Sequence, residues 1–244
     1  MKKDNNFAWV SIAGFIIGIT ALLLFAAAAM GNRMAFLQTF TVVRLVFFSM
    51  IAGFAATGIS ILGIILSIVT GGKKGYLLGT AGIILGLIIA GGPWNLMSKH
   101  MPRIHDITTD TQDPPVFADV IPLRVKAANN AAYEGGETAA LQEKFYPDIK
   151  PLFLDISAPD AFDRALAISR SMGWKIDSSA KDEGRIEATA TTMWMGFKDD
   201  IVIRVKKSGS GSKVDIRSES RVGIGDFGTN AARIRAFLKA MQKQ

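Results

Sequence analysis

Apolar and polar positions divide the chain into two parts that meet near Met97. In the first part, three stretches each exceed the roughly 20 apolar residues that a helix needs to cross a bilayer. None of them contains an ionisable residue, and none alternates apolar with polar positions as a membrane barrel strand does. The pattern therefore predicts three transmembrane helices, at about residues 7–30, 45–70 and 76–97.

Small residues recur at four-residue spacing within these stretches. Such ridges let helix backbones approach closely in lipid. A transport path usually also needs buried charge or polar breaks, which these stretches lack, so we interpret the ridges as packing surfaces among the helices. They comprise Gly14 and Gly18, Ala52 and Ala56, Gly75 and Gly79, and Gly82 with Gly86 and Ala90.

The second part alternates apolar with polar residues over several short runs, which is typical of strands with one buried face. Ser157 and Asp160 form a capping pattern for a helix that ends at Gly173. Apolar positions from Ile234 to Met241 fall at helical spacing. Short links between the later strands imply an antiparallel sheet with both helices on one face. The predicted class is α+β in the order β-α-β-β-β-β-α, with strands near residues 152–156, 174–177, 185–192, 201–206 and 214–219.

An irregular stretch, residues 99–150, separates the membrane module (1–98) from this domain (151–244). A short helix is expected around Thr138–Phe145. Long structureless connectors are uncommon in compact proteins, so most of the stretch is expected to pack on the domain. The run His105–Asp113 mixes isoleucine with short polar side chains, unlike a flexible linker. We expect it to dock on the domain in an extended conformation.

The formal net charge of +7 belongs mainly to the membrane part. Up to Lys99 the chain has seven Lys and Arg against one acid, a balance of +6, whereas the remainder has 21 against 20, a balance of +1. A nearly neutral domain is not attracted to phosphate backbones, so nucleic acid is not an expected partner. With no cysteine and only two histidines, neither a metal site nor a cofactor is predicted.

Lysine placement predicts the orientation of the helices. Lys2 and Lys3 precede the first helix, and Lys73 and Lys74 lie in the tight second loop. Placing both pairs in the cytoplasm puts the N-terminus inside and the soluble domain outside. The first apolar stretch is about twice as long as the core of a signal peptide, so we expect it to be retained as a helix.

Several runs beyond the membrane part extend over nearly all of residues 100–244: Arg103–Asp110, Asp113–Pro115, Tyr146–Ile149, Gly184–Thr192, Gly196–Asp200, and Ser220–Gly223 continuing through Asp226, Asn230 and Arg233. In sequence and in order, these runs resemble a bacterial family known as domain of unknown function 1499. The resemblance implies a bacterial envelope protein and transfers no activity. Together with the predicted orientation, it leads us to expect helices anchored in the inner membrane and a domain in the periplasm.

One candidate site combines the start of the last helix with the docked run. Free amide groups and the positive end of a helix favour nearby carboxylates or other anions. We therefore expect the carboxylates of the docked run to lie near the start of the last helix. This meeting place is interpreted either as a ligand site or as a salt-bridged clasp. Its predicted members are His105, Asp106, Asp110, Arg221, Asn230 and Arg233.

Two other features of the docked run have an enzymatic or metal-binding interpretation. Asp106, Asp110 and Asp113 could offer oxygen ligands to a hard cation, although the spacing is not that of a calcium loop. His105 beside Asp106 could form an acid–base pair. For both features we favour the structural explanation, in which these side chains cap turns and brace a loop.

Two further pairs lie outside the docked run. Asp199 and Asp200 are neighbours at a strand start, and their side chains should point to opposite faces, which makes a paired-carboxylate site unsuitable. We interpret them as turn caps. Trp194 and Phe197 mark an apolar patch at a strand end, which is either a lipid or partner contact or, as we prefer, part of the core.

The sequence favours a non-catalytic function: a membrane-tethered envelope domain that binds or scaffolds a partner protein, a lipid or another envelope component. Two alternatives stay open. One is a membrane-anchored hydrolase that uses His105 and the nearby acids, which requires these groups to converge in a concave pocket. The other is an assembly factor for a membrane complex. Beyond the bilayer itself, the sequence does not identify the partner.

The predicted orientation can be tested with reporter fusions. Alkaline phosphatase, which needs disulfides and therefore an oxidising compartment, is expected to be active when fused after Gln244 and inactive when fused after Lys74. The opposite pattern of activities would contradict both the orientation and the periplasmic location of the domain.

Overall fold

The computed structural model describes residues 7–70, 75–98 and 100–243. The four lysines used to predict the orientation, Lys2, Lys3, Lys73 and Lys74, lie outside the described residues. The chain divides into two compact units. The first comprises Met1–His100, which contains the helices, together with Trp194–Gly196, and the second, the sheet domain, comprises Met101–Met193 and Phe197–Gln244.

Three helices make up the first unit: α1 (Ala8–Arg33), α2 (Thr39–Val69) and α3 (Tyr76–Met97). Each is long and apolar enough to cross a membrane. The second helix begins earlier than the predicted residue 45, so that Arg44 lies inside it. A helix of 31 residues is about 46 Å long and exceeds the roughly 30 Å hydrocarbon core. The apolar pattern marks only the part of this helix that is free of charged residues.

Small residues hold the helices of this unit close together. A side-chain carbon added at Gly14 would overlap Ser60, and one added at Gly63 would overlap Ser11. One added at Gly86 would overlap the carbonyl oxygen of Gly53 on the neighbouring helix. The glycine and serine positions therefore let the backbones touch, as the packing interpretation of the small-residue ridges requires.

Helices and strands of the second unit follow the predicted order, and the α+β class with an antiparallel sheet is confirmed. One further strand comes first, within the stretch predicted to be irregular. The elements are β1 (Asp106–Thr108), α4 (Gly136–Phe145), β2 (Leu152–Leu154), α5 (Ala158–Ser171), β3 (Lys175–Ala180), β4 (Arg185–Thr191), β5 (Lys198–Ser208), β6 (Gly211–Ser220) and α6 (Thr229–Gln242).

The six strands form one sheet in the order β1-β6-β5-β4-β3, and β2 pairs with the other end of β6 beside β1. Every pairing is antiparallel. The central β5–β6 hairpin closes through a two-residue turn between Ser208 and Gly211, which pair directly. Gly209 in this turn has φ of +60°, a conformation that glycine adopts without steric strain.

Helices α5 and α6 cover one face of the sheet and enclose the main core. Ile201, Ile203 and Ile216 from the central strands are fully buried there. Trp174 stacks on Phe237 of α6 with ring centroids 5.8 Å apart. The alternation seen in the sequence thus supplies one continuous apolar face, as expected for a half-buried sheet.

The opposite face of the sheet is covered by residues 109–135, called here the covering segment. This segment is irregular except for a 3-10 helix, Ile121–Arg124. Phe117 and Val120 of the segment are buried against Val202 of β5. Just before the segment, Ile104 and Ile107 are buried in the main core, and β1 pairs with the end of β6. Both faces of the sheet are therefore shielded from solvent.

Candidate functional site

The covered face of the sheet is charged. On β6, Asp215, Arg217 and Glu219 point to this face, whereas Ile216 and Ser218 point towards the helices. All of these side chains are buried. A buried ionised group is stable only when it is paired and hydrogen-bonded. The partners of these groups therefore decide what the face can do.

Three arginines and three carboxylates satisfy one another on this face, and we call them the arginine–carboxylate network. It draws on the sheet, on the covering segment and on the loop after β6. Its members are Asp106, Arg124, Asp200, Arg217, Glu219 and Arg221.

Arg217 lies at the centre of the network and is 1% exposed. It holds Asp106 with two hydrogen bonds, Nε to Oδ1 at 2.9 Å and Nη2 to Oδ2 at 2.7 Å. Nη2 also donates to Glu219 at 3.2 Å and to the carbonyl oxygen of Ala131 at 2.9 Å. Nη1 donates to the carbonyl of Pro115 at 3.3 Å. One side chain thus joins β1, β6 and two points of the covering segment.

Arg124 and Arg221 complete the charge pairing. Arg124 comes from the 3-10 helix and donates to Asp200 at 2.6 Å and to Glu219 at 2.7 Å. Its Nε has no hydrogen-bond partner among the residues described. Arg221 donates to Asp200 at 2.7 Å and to the carbonyl of Leu123 at 3.1 Å. Two arginines therefore hold the 3-10 helix onto the sheet.

Aromatic rings of the covering segment pack against two arginines of the network. The guanidinium carbon of Arg217 lies 4.8 Å from the ring centroid of Phe117 and 5.4 Å from that of Tyr133. The guanidinium carbon of Arg124 lies 5.7 Å from the ring centroid of Phe117. Desolvated arginines gain from such contacts. Burial raises the pKa of Tyr133 to about 12, so this phenol stays neutral at physiological pH.

The confinement of the carboxylates changes their acidity. Burial, reinforced by the neighbouring Asp106 carboxylate, raises the pKa of Glu219 from 4.5 to about 8 against the opposing influence of Arg124 and Arg217. Burial likewise raises the pKa of Asp106, although Arg217 acts in the opposite direction. The protonation of Glu219 therefore changes within the physiological pH range.

The six predicted site residues lie on two faces of the sheet. Asp106 and Arg221 belong to the network on the charged face. Asp110 pairs with Lys213 at 2.8 Å. On the helix face, Arg233 pairs with Asp199 at 2.5 Å.

The contact between Asn230 and His105 uses the side chain of Asn230 and the backbone of His105. The side chain of Asn230 donates to the carbonyl of His105 at 2.9 Å and accepts from Ser218 at 2.7 Å. The predicted residues are therefore structural partners of the sheet in this arrangement, and a ligand-binding role for them stays a prediction.

The expectation that Asp106 or Asp110 lies at the start of the last helix is wrong. Asp226 holds that position: its carboxylate accepts from the amides of Gly228 at 2.8 Å and of Asn230 at 2.6 Å. Asp106 cannot take its place because strand alternation directs this side chain to the face away from α6.

The interpretation of the neighbouring aspartates as turn caps is also wrong. Asp199 and Asp200 lie within β5 and point to opposite faces, as strand geometry requires. Each pairs with arginine, Asp199 with Arg233 and Asp200 with Arg124 and Arg221. Trp194 is likewise no core residue, because 74% of its surface is exposed.

The acid–base pair considered for His105 is not formed. Its Nδ1 lies 3.5 Å from the carbonyl oxygen of Ile224, whereas the carboxylate of Asp106 is directed to Arg217. Within the described part of the chain, no group of three or more metal-binding side chains was found. The three aspartates considered for a cation are also separated, since Asp106 pairs with Arg217, Asp110 with Lys213 and Asp113 with Arg204.

Sequence reasoning missed Arg124, Arg217 and Glu219 as members of the central cluster. The alternating pattern marks Arg217 and Glu219 only as polar positions of a strand. An available signal was the opposite charges two residues apart at Asp215, Arg217 and Glu219, which line one strand face. Nothing local pointed to Arg124, whose partners are 76 and 95 positions away.

These features define the class: a protein with three apolar helices long enough to span a membrane and an antiparallel α+β domain with a buried ionic face. Residues 106–241 match the family described as "Protein of unknown function (DUF1499)", and the chain belongs to this family. The match begins at Asp106 and so contains the whole arginine–carboxylate network. No curated protein matches the chain.

Removal of Arg217 should strongly destabilise the sheet domain. Arg217→Ala leaves the buried Asp106 carboxylate unpaired and removes one of the two arginines on Glu219, and breaking a buried pair in this way typically costs about 3–5 kcal/mol. Arg235→Ala is the matched control, because its pair with Asp148 is 43% and 54% exposed and such pairs contribute only about 0–1 kcal/mol. Hydrogen exchange of the β5 and β6 amides in the full chain measures both free energies of opening. Equal effects of the two substitutions would contradict the central role of Arg217.

The stability of the sheet domain should fall between about pH 4.5 and pH 8. Because the folded pKa of Glu219 is raised, its contribution is complete below the unfolded value of 4.5 and is lost as the pH rises through about 8. Glu219→Gln keeps a neutral side chain at every pH and should flatten this decline. The midpoint of the thermal transition of the sheet domain, measured across this range, compares the two proteins. Parallel pH profiles would contradict the assignment.

Proposed function

We propose that this protein is a membrane-anchored, non-catalytic binding domain that recognises a partner protein through one rigid turn of its covering segment. The turn comprises residues 120–125 and is called here the aliphatic turn. Its Ile121, Leu123 and Val125 side chains are 44%, 47% and 85% exposed, whereas Val120 and Arg124 are buried. This group of exposed aliphatic side chains, on a turn held by two buried residues, is the observation that carries the proposal.

Exposed aliphatic side chains grouped on one protrusion are typical of interaction sites. Three of them on a single short turn supply the apolar centre of a small interface. The matching partner surface is an apolar groove with a polar rim, the arrangement found at most protein–protein interfaces. A groove on another membrane or envelope protein would satisfy this requirement.

The aliphatic turn is held from beneath at several points. The amide of Val120 donates to Glu187 at 2.8 Å. Arg124 is bound to Asp200 and Glu219, and the carbonyl of Leu123 accepts from Arg221. A binding loop that is already ordered loses less conformational entropy when it meets its partner. On this proposal the network stabilises the turn that makes the contact.

Membrane anchoring supports a binding role in a second way. Confinement of two proteins to one membrane raises their effective concentration, so a small interface is sufficient. The proposed location is the bacterial inner membrane, with the N-terminus in the cytoplasm and the domain in the periplasm. This orientation is supported by the lysine distribution. An assembly factor for a membrane complex is one form of the proposed function.

Site-specific photocrosslinking in native membranes tests the proposal. A photoreactive residue at Val125 should give an adduct of defined mass, and the same residue at Val116, which is 71% exposed, should not. With the partner identified and purified, Leu123→Asp should weaken binding at least about tenfold, equivalent to about 1.4 kcal/mol. The stability of the sheet domain should not change.

Two results would contradict the proposed function. One is equal labelling from Val125 and Val116, which would mark random collisions rather than a defined interface. The other is unchanged affinity of the Leu123→Asp protein for the crosslinked partner.

A further inference from the structure

Two loops of the sheet domain expose large apolar side chains that the aliphatic turn does not include. Met193 and Trp194, in the loop between β4 and β5, are 77% and 74% exposed. Ile224 and Phe227, in the loop between β6 and α6, are 73% and 47% exposed. We call these two segments, residues 193–196 and 222–227, the apolar loops.

Both apolar loops lie at the same end of the sheet. β4 ends at Thr191 and β5 begins at Lys198, and these two residues pair directly. Ser220, the last residue of β6, pairs with Asp199. β1 also begins at this end, because Asp106 pairs with Glu219. The chain that comes from α3 therefore enters the sheet at the end that carries the apolar loops.

The connection between α3 and the sheet domain is short. α3 ends at Met97, and Ile104 is already buried in the main core. Six residues lie between these positions, which span on the order of 20 Å when fully extended. The sheet domain therefore begins only a few residues along the chain after the apolar helix α3 ends.

The backbones of the apolar loops are fixed, although their side chains are exposed. The amide of Thr192 donates to the carbonyl of Phe197 at 2.8 Å, and that of Phe197 donates to the Thr192 hydroxyl at 2.9 Å. Phe227 has φ of +53°, which is unfavourable for a bulky residue. The Asp226 cap of the following helix holds it there. The loops thus present their apolar side chains at defined positions.

The chemistry of these side chains matches the headgroup region of a bilayer. Tryptophan concentrates at the membrane–water interface because its ring is apolar and its N–H is polar. Exposed Lys198 lies two residues after the first loop. Exposed Arg103 lies against Gly225 of the second. Cationic groups beside inserted apolar side chains favour anionic lipids.

We infer that the apolar loops insert Met193, Trp194, Ile224 and Phe227 into the headgroup region of the membrane that holds the helices. Lys198 and Arg103 contact lipid phosphates beside them. This inference does not depend on the proposed partner of the aliphatic turn.

The absence of cysteine allows a direct test in the full chain. Single substitutions Met193→Cys and Ile224→Cys are spin-labelled in purified protein in nanodiscs of phosphatidylethanolamine and phosphatidylglycerol. Phe153→Cys, at a position 64% exposed on β2, and Val116→Cys serve as controls. Power saturation compares the accessibility of each label to oxygen, which partitions into lipid, and to a water-soluble nickel chelate.

At positions 193 and 224 we expect several-fold higher oxygen accessibility relative to nickel than at positions 153 and 116. Trp194→Ser in the Ile224→Cys protein should shift the label towards nickel. Nickel accessibility at positions 193 and 224 equal to that of the controls would overturn the inference. Because no other protein is present in the nanodiscs, that result would indicate that the loops contact a protein partner and not lipid.

The photocrosslinking result at Val125 is independent of this experiment. Failure of lipid insertion and failure of the proposed function can therefore be told apart.

Discussion

Arg217 is a guanidinium with almost no contact with solvent, and the architecture of the sheet domain depends on how it is satisfied. Its hydrogen bonds reach a carboxylate on the edge strand, another on its own strand and two carbonyl groups of the covering segment. The Phe117 and Tyr133 rings shield it from water. A buried charge is expensive unless every such partner is present. This requirement selects one position for a covering segment that has little regular structure of its own.

The same requirement links the interior of the domain to its surface. The 3-10 helix contributes Arg124 to the network, and the position of Arg124 determines which neighbouring side chains face outward. Ile121, Leu123 and Val125 are exposed while Val120 and Arg124 are bound below. An interface built this way would lose its shape if the network changed protonation, and burial raises the pKa of its member Glu219 to about 8. Stability and recognition would then share one set of ion pairs.

The two parts of the chain solve the problem of buried polarity differently. In the apolar helices, glycine and serine let the backbones approach closely, and no full charge is needed at these contacts. In the sheet domain, full charges are buried and neutralised by direct pairing. The proposed membrane contact lies at the end of the sheet where the chain enters. There the exposed Trp194 and Phe227 replace the charged residues expected on a solvated surface.

The sequence by itself determined the three helices, the order of the later strands and the apolar face under α5 and α6, because these follow from local periodicity in residues such as Ile201, Ile203 and Ile216. It also indicated that Asp199 and Asp200 point to opposite faces. Only the tertiary structure decided that Arg217 and Glu219 are buried. A period of two separates the faces of a strand but does not tell what covers the second face. Part of the cover is Pro115, which accepts a hydrogen bond from Arg217 although it lies 102 positions away along the chain. Contacts over such distances leave no mark on local sequence.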